Sequence, residues 1–219
     1  ATRGDACVRC GGASDEAGLS VNTKFFTEIN KHPVTSLGYF ECSFDRVVNA
    51  YLDWSIPIIE GANQQFAIKH YESRIDKIFQ LGSIRHAPII RNRIIFEINN
   101  DWCAYFDDSR VDGGVTTVVP YLNHHLACRA LRVASGNGNI IAFYNADRCS
   151  RRWIANIDDG NGMELMVGGA PEDFEAEILP EKMKRLTDEL VAQLVNAFGT
   201  TASFDPKIKA RVMLMRVTP

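Results

Sequence analysis

Apolar positions along this chain switch repeatedly between a two-residue and a 3.6-residue period, and each switch marks an element. Leu37 to Cys42 is an apolar run that predicts a strand. Ser43 then offers a helix N-cap, and Phe44, Val47, Val48 and Tyr51 recur at i, i+3, i+4 and i+7. That face predicts a helix reaching about Trp54, with Pro57 just past its end. Gln64 to Lys69 reads as a short strand. Tyr71, Ile75, Ile78 and Phe79 repeat the helical spacing as far as Gly82. The middle is β-rich. Arg91 to Ile98 and Trp102 to Asp107 flank the turn residues Asn99-Asn100-Asp101. A polar loop holding Gly113 and Gly114 follows, then a helix ending near Leu126. Pro120 lacks the N–H that a helix interior needs, so onset is expected near Val119 with the proline in the first turn.

Ala127 to Ala134 and Asn139 to Asn145 read as strands joined by Gly136-Asn137-Gly138. Arg151 to Ile157 and Met163 to Val167 read as two more, joined by Asp158-Asp159-Gly160-Asn161-Gly162. Pro180 opens a last helix with the stripe Met183, Leu186, Leu190, Leu194 and Phe198, and Gly199 closes it. Lys209 to Val217 is a final strand. This order implies an α+β fold, mainly an antiparallel sheet with helices packed on one side. Residues 1–23, rich in Gly, Ser, Asp and Ala, read as a flexible N-terminal segment, and 24–219 as a single α+β domain. The chain has 219 residues, 46% of them hydrophobic, enough for one sizeable core.

Charge narrows the partners. The net charge is -3 and no basic stripe is evident, which argues against a nucleic-acid binder. No apolar run approaches the ~20 residues that span a bilayer. Ala1 to Cys10 carry no apolar secretory core, so the expectation is a cytoplasmic protein. Six cysteines are present, at positions 7, 10, 42, 103, 128 and 149. Four sit in or beside apolar runs, where reduced Cys behaves as a small buried hydrophobe.

The run Asp101-Trp102-Cys103-Ala104-Tyr105-Phe106-Asp107-Asp108 is followed by Gly113-Gly114, a Tyr121-Leu122 helix and Cys128-Arg129-Ala130-Leu131-Arg132-Val133. Further on come Arg151-Arg152-Trp153-Ile154, an Asp-Gly turn, Gly168-Gly169, Phe174-Glu175 and Phe198-Gly199. Across roughly 90–200 this resembles a group of uncharacterised bacterial cytoplasmic proteins with a Trp-Thr-Ala-Tyr-Phe-Asp-Asn strand. Cys103 stands where that pattern has Thr, and Asp108 where it has Asn. The resemblance implies an accessory protein, such as the immunity partner of a toxin.

Candidate chemistry is sparse. Cys7-x-x-Cys10 supplies half of a zinc knuckle, without the second ligand pair a structural site needs. His124 and His125 are adjacent, so on a helix their rings diverge by ~100° and do not form a shared metal pair. Asp107, Asp108 and Asp112 do not match a calcium loop, and Asp158-Asp159-Gly160-Asn161-Gly162 reads more simply as a hairpin turn. No nucleotide-binding motif is present, and no cofactor, metal or catalytic residue is assigned. From Asp158 to Glu177 the chain carries seven acids and no base. That stretch reads either as a solvated loop and edge that keeps the sheet soluble or as a docking face for a basic partner, with Asp158, Asp159, Glu172 and Asp173 as the partner-binding residues. The expected function is therefore a non-catalytic protein-binding protein, an immunity protein neutralising a partner toxin with a basic surface. The alternative is a small hydrolase or transferase using His124 or His125 with a Cys or Asp partner.

Overall fold

The computed structural model describes residues 36–83, 91–107, 113–134, 139–145, 150–158, 160, 162–181, 183–200, 204–205 and 207–219. The segment 1–23, with Cys7 and Cys10, lies outside them. The apolar runs become β1 (Ser36–Glu41), β2 (Gln65–Arg74), β3 (Arg91–Glu97), β4 (Trp102–Asp107), β5 (Ala130–Ala134), β6 (Ile140–Asn145), β7 (Ser150–Asp158), β8 (Met163–Gly168) and β9 (Lys209–Thr218). They form one sheet in the order β2-β9-β3-β4-β1-β5-β6-β7-β8, with every neighbouring pair antiparallel. The helices are α1 (Phe44–Gly61), α2 (Ile75–Ser83), α3 (Gly113–Leu126), α4 (Glu175–Ile178) and α5 (Asp188–Ala197). The α+β class and the antiparallel sheet are as the sequence predicts.

The helices, however, cover both faces of the sheet rather than one. Alternate residues along the strands divide between two cores. Leu37, Phe96, Phe106, Leu131 and Phe143 pack with Ile78 of α2 and Leu194 of α5. Phe40, Ile95, Tyr105, Ala142 and Met213 pack with Val48 of α1 and Val119 of α3. The physical reason is visible in β1, β4 and β5, whose side chains are buried at nearly every position. Continuous apolar strands belong to a sheet sandwiched between layers, whereas one-sided burial leaves polar residues at alternate positions. The second layer presses close. A Cβ at Gly38 would lie 2.4 Å from Val119 Cγ2, so a glycine is needed where α3 crosses β1.

Burial also moves helix ends. Helix α1 runs through Pro57 to Gly61, because Ile59, one turn beyond Trp54, is 1% exposed and anchors the last turn. Helix α3 starts at Gly113 with Pro120 inside it, since Val115, Val118, Val119 and Leu122 make one buried face from the first turn onward. Tyr71 lies in β2, not in the following helix, because β2 pairs with β9 continuously from Gln65 to Arg74. The last helix begins at Asp188, not Pro180. Asn156 holds the backbone of Leu186 with bonds of 2.8 Å in both directions, N–H to Oδ1 and Nδ2 to carbonyl. That clamp fixes residue 186 outside a helix, and Thr187 then caps α5 by accepting from the Leu190 N–H.

Candidate functional site

Strand β8 is the outer strand of the sheet on one side, and the β7–β8 hairpin carries the predicted partner-binding acids. Its register sets Trp153 opposite Gly168, Ala155 opposite Met166, Ile157 opposite Glu164 and Asp158 opposite Met163. Trp153, Met166 and Ile157 therefore share the face that α1 and α3 cover elsewhere. Those helices pack over β1, β3, β4 and the neighbouring strands. Out on the hairpin, Ile157, Met163, Met166 and Val167 are 38%, 38%, 43% and 54% exposed. Among the described residues, few large apolar side chains are as exposed, and these four lie on two paired strands. Trp153 is half-buried over the edge strand, and a Cβ at Gly168 would lie 2.4 Å from its Nε1.

The acids do not form one cluster. Asp158 is exposed at the hairpin tip, where its Oδ1 accepts from the Gly160 N–H at 2.9 Å. Asp159 lies outside the described residues. Asp173 is exposed and Glu172 half-buried, both just past the opposite end of the hairpin. At ~3.3 Å per residue, the span from Asp158 to Trp153 separates the two groups by roughly 16 Å. Glu175 leaves the acidic surface altogether. It is 3% exposed and accepts from Arg152 Nε at 2.8 Å and Nη2 at 2.6 Å. Its Oε1 also accepts from the Glu172 N–H, and Arg152 Nη1 donates to the Gly169 carbonyl at 3.1 Å. This buried ion pair joins α4 to the base of the hairpin and positions residues 172 and 173. Outside it, Asp158 and Glu164 remain exposed beside the apolar side chains.

The enzymatic alternative rests on His124 and His125, in the last turn of α3, with a Cys or Asp partner. His124 and His125 are both exposed at the C-terminal turn of α3. The His125 ring stacks on Tyr121 at 5.8 Å, and Tyr121 stacks on Trp54 at 5.1 Å. Cys103 and Cys128 are buried, and the Cys128 carbonyl accepts from Asn123 Nδ2. Cys149, Asp108 and Asp112 lie outside the described residues.

One polar cluster was missed in the sequence. Arg93 and Asp107 face each other across β3 and β4. Arg93 Nη1 donates to Tyr51 Oη at 3.3 Å, and Tyr105 Oη donates to Asp107 Oδ2 at 3.1 Å. Burial pushes both phenols up, Tyr105 well above the ordinary range, so both stay protonated, Tyr105 donating to Asp107 while Tyr51 accepts from Arg93. The cluster joins α1 to the sheet. A hairpin centred on Asn100 opposes 93 to 107, so extending the predicted turn along its strands would have revealed the pair.

Comparison with protein-family profiles, with curated proteins and with solved structures gave no match. The described residues define the class: an α+β protein whose described strands form a nine-stranded antiparallel sheet with helices on both faces. Among the described residues, no helix is long and apolar enough to cross a membrane.

Proposed function

We propose that this is a non-catalytic protein-binding protein that docks its partner on the β7–β8 hairpin. The observation that carries this reading is the exposure of Ile157, Met163, Met166 and Val167 on an edge hairpin that also presents Asp158 and Glu164. Edge strands offer unpaired backbone groups to an incoming segment, and the apolar side chains supply area to bury against it. The nearby carboxylates select for basic residues and speed encounter. The resemblance across 90–200 supports reading the partner as a toxin with a cationic site, which makes the protein its immunity partner.

The test begins with the partner purified from the source organism, and measures association and dissociation rates at two salt concentrations. Asp158→Lys and Glu164→Lys should slow association about tenfold and flatten its salt dependence, because screening no longer opposes an attraction. Met166→Asp should accelerate dissociation with little change in association. Glu172→Lys with Asp173→Lys locates the footprint, since an equal effect there extends it to the hairpin base. Unchanged rates in the Asp158, Glu164 and Met166 variants would show that the partner binds elsewhere.

A further inference from the structure

Three cysteines lie on or beside the central strands of the sheet. Cys42 follows β1, Cys128 precedes β5, and Cys103 is in β4; all three are free and buried. The β1–β5 register pairs Phe40 with Ala130, and the Glu41 N–H donates to the Arg129 carbonyl at 2.9 Å. One step further along the same antiparallel register, Cys42 faces Cys128. Because 41 and 129 are a hydrogen-bonded pair, 42 and 128 fall at a non-hydrogen-bonded position. Cα atoms at such positions are about 4.5 Å apart, at the short end of the span a disulfide accepts. At that separation the two thiols are within reach of each other, and each perturbs the other's protonation.

We propose that Cys42 and Cys128 are a reversible redox pair, oxidised by hydroperoxide to a cross-strand disulfide and reduced by dithiols. The Cys42 thiolate attacks a peroxide oxygen, breaking the O–O bond. It becomes a sulfenic acid, and the other oxygen leaves as water after taking a proton. The Cys128 thiol then attacks the Cys42 sulfur, and its proton departs with the hydroxyl as a second water. Two thiols and one hydrogen peroxide thus yield one disulfide and two waters.

The surroundings fit these roles. The hydrogen bond from Cys128 lowers the Cys42 thiol below its ordinary range against the opposing effect of burial, with help from the Arg46 guanidinium. Arg46 is held nearby by donating to the Leu126 carbonyl at 3.3 Å. The same bond and burial raise Cys128, which stays a thiol until it resolves the sulfenic acid. Cys103 donates to the Cys42 carbonyl at 2.9 Å, and burial raises it strongly, so it is the poorer partner. Cys42 is 5% exposed and Cys128 8%.

The experiment uses the full chain, fully reduced, then treated with a few equivalents of hydrogen peroxide. It is next unfolded, alkylated and digested for peptide mass analysis. The expected product is a peptide pair joined through Cys42 and Cys128, two hydrogens lighter than its parts and restored by dithiothreitol. Cys103 should be alkylated throughout, and the oxidised protein should melt roughly 5–10 °C higher because a long loop is closed. Cys128→Ser keeps a hydrogen-bond donor beside Cys42 but no resolving thiol, and should leave Cys42 as a sulfenic acid trapped by dimedone. Should that variant not fold, the mapping of the wild-type chain decides alone. The proposal is overturned if both cysteines are alkylated after peroxide, if Cys42 is oxidised without linking, or if it links to Cys103 or another cysteine.

Discussion

Arg152 donates from two nitrogens to a carboxylate with 4% side-chain exposure, so deleting either partner leaves a charge away from water. Such losses cost about 3–5 kcal/mol, whereas replacing the pair with apolar residues is often neutral. Arg152→Met should therefore lower stability to urea by about that amount, and Arg152→Met with Glu175→Leu should regain most of it. A silent single variant would mean the carboxylate is solvated. Nothing in the sequence separated Glu175 from the six other acids in its stretch, because burial depends on where α4 docks. Asn156 was equally illegible. Its amide serves the backbone of Leu186, thirty residues away in the chain. By contrast, Asn99 announced its role locally, and its Oδ1 does accept from the Asp101 and Trp102 N–H groups at 2.9 Å. Short-range side-chain bonds are readable from residue type, and long-range ones are not.

Elements were legible in proportion to how far local pattern sets their ends. Strands β3, β4 and β7 fall within a residue or so of their predicted spans, since turn residues delimit them. Helices gave way to tertiary packing, which carried α1 and α3 across prolines. Proline in a helix interior costs about 3 kcal/mol, part of which is offset because it also restricts the unfolded chain. Pro57 is exposed, so Pro57→Ala should raise stability by roughly 2 kcal/mol in thermal or urea unfolding. An unchanged midpoint would mean the turn after Trp54 is not helical in solution. On α5, the predicted stripe does reach the core, but its helical part starts later. Leu194 is fully buried whereas Leu190 is only partly so, and Val191 and Val195 complete the inner face. Leu194→Ala should cost about 2–5 kcal/mol through the cavity it leaves, while Glu189→Ala stays within about 0.5 kcal/mol. Equal effects would remove α5 from the core. The two-sided burial of the sheet was also present in the sequence, as runs such as Ile94-Ile95-Phe96 without polar alternation. The acidic part of the candidate site was legible as charge. Its apolar part was not, because Met163, Met166 and Val167 look like core residues until β8 is known to lie at an edge.

At the scale of the whole molecule, hairpins between consecutive strands were predictable and the remaining neighbours were not. Strand β1 sits between β4 and β5, and β9 sits between β2 and β3. These pairings join distant segments, and their loop-closure cost must be met before any ladder forms. Strand β9 is fully paired on one side with β2 and pairs with β3 on the other. Removing 209–219 should leave β2 without a strand neighbour and β3 with a bare edge, and the chain should sediment as aggregate while the full-length protein stays in the supernatant. A soluble, cooperatively melting truncation would show that β9 is dispensable. The same arrangement gives the sheet a slot of defined sequence, open until the ninth strand arrives. A synthetic peptide carrying 209–219, added to the shortened chain as it refolds, has ten residues of β2 to read its register against. The pair would then behave as a split protein whose two fragments complement each other.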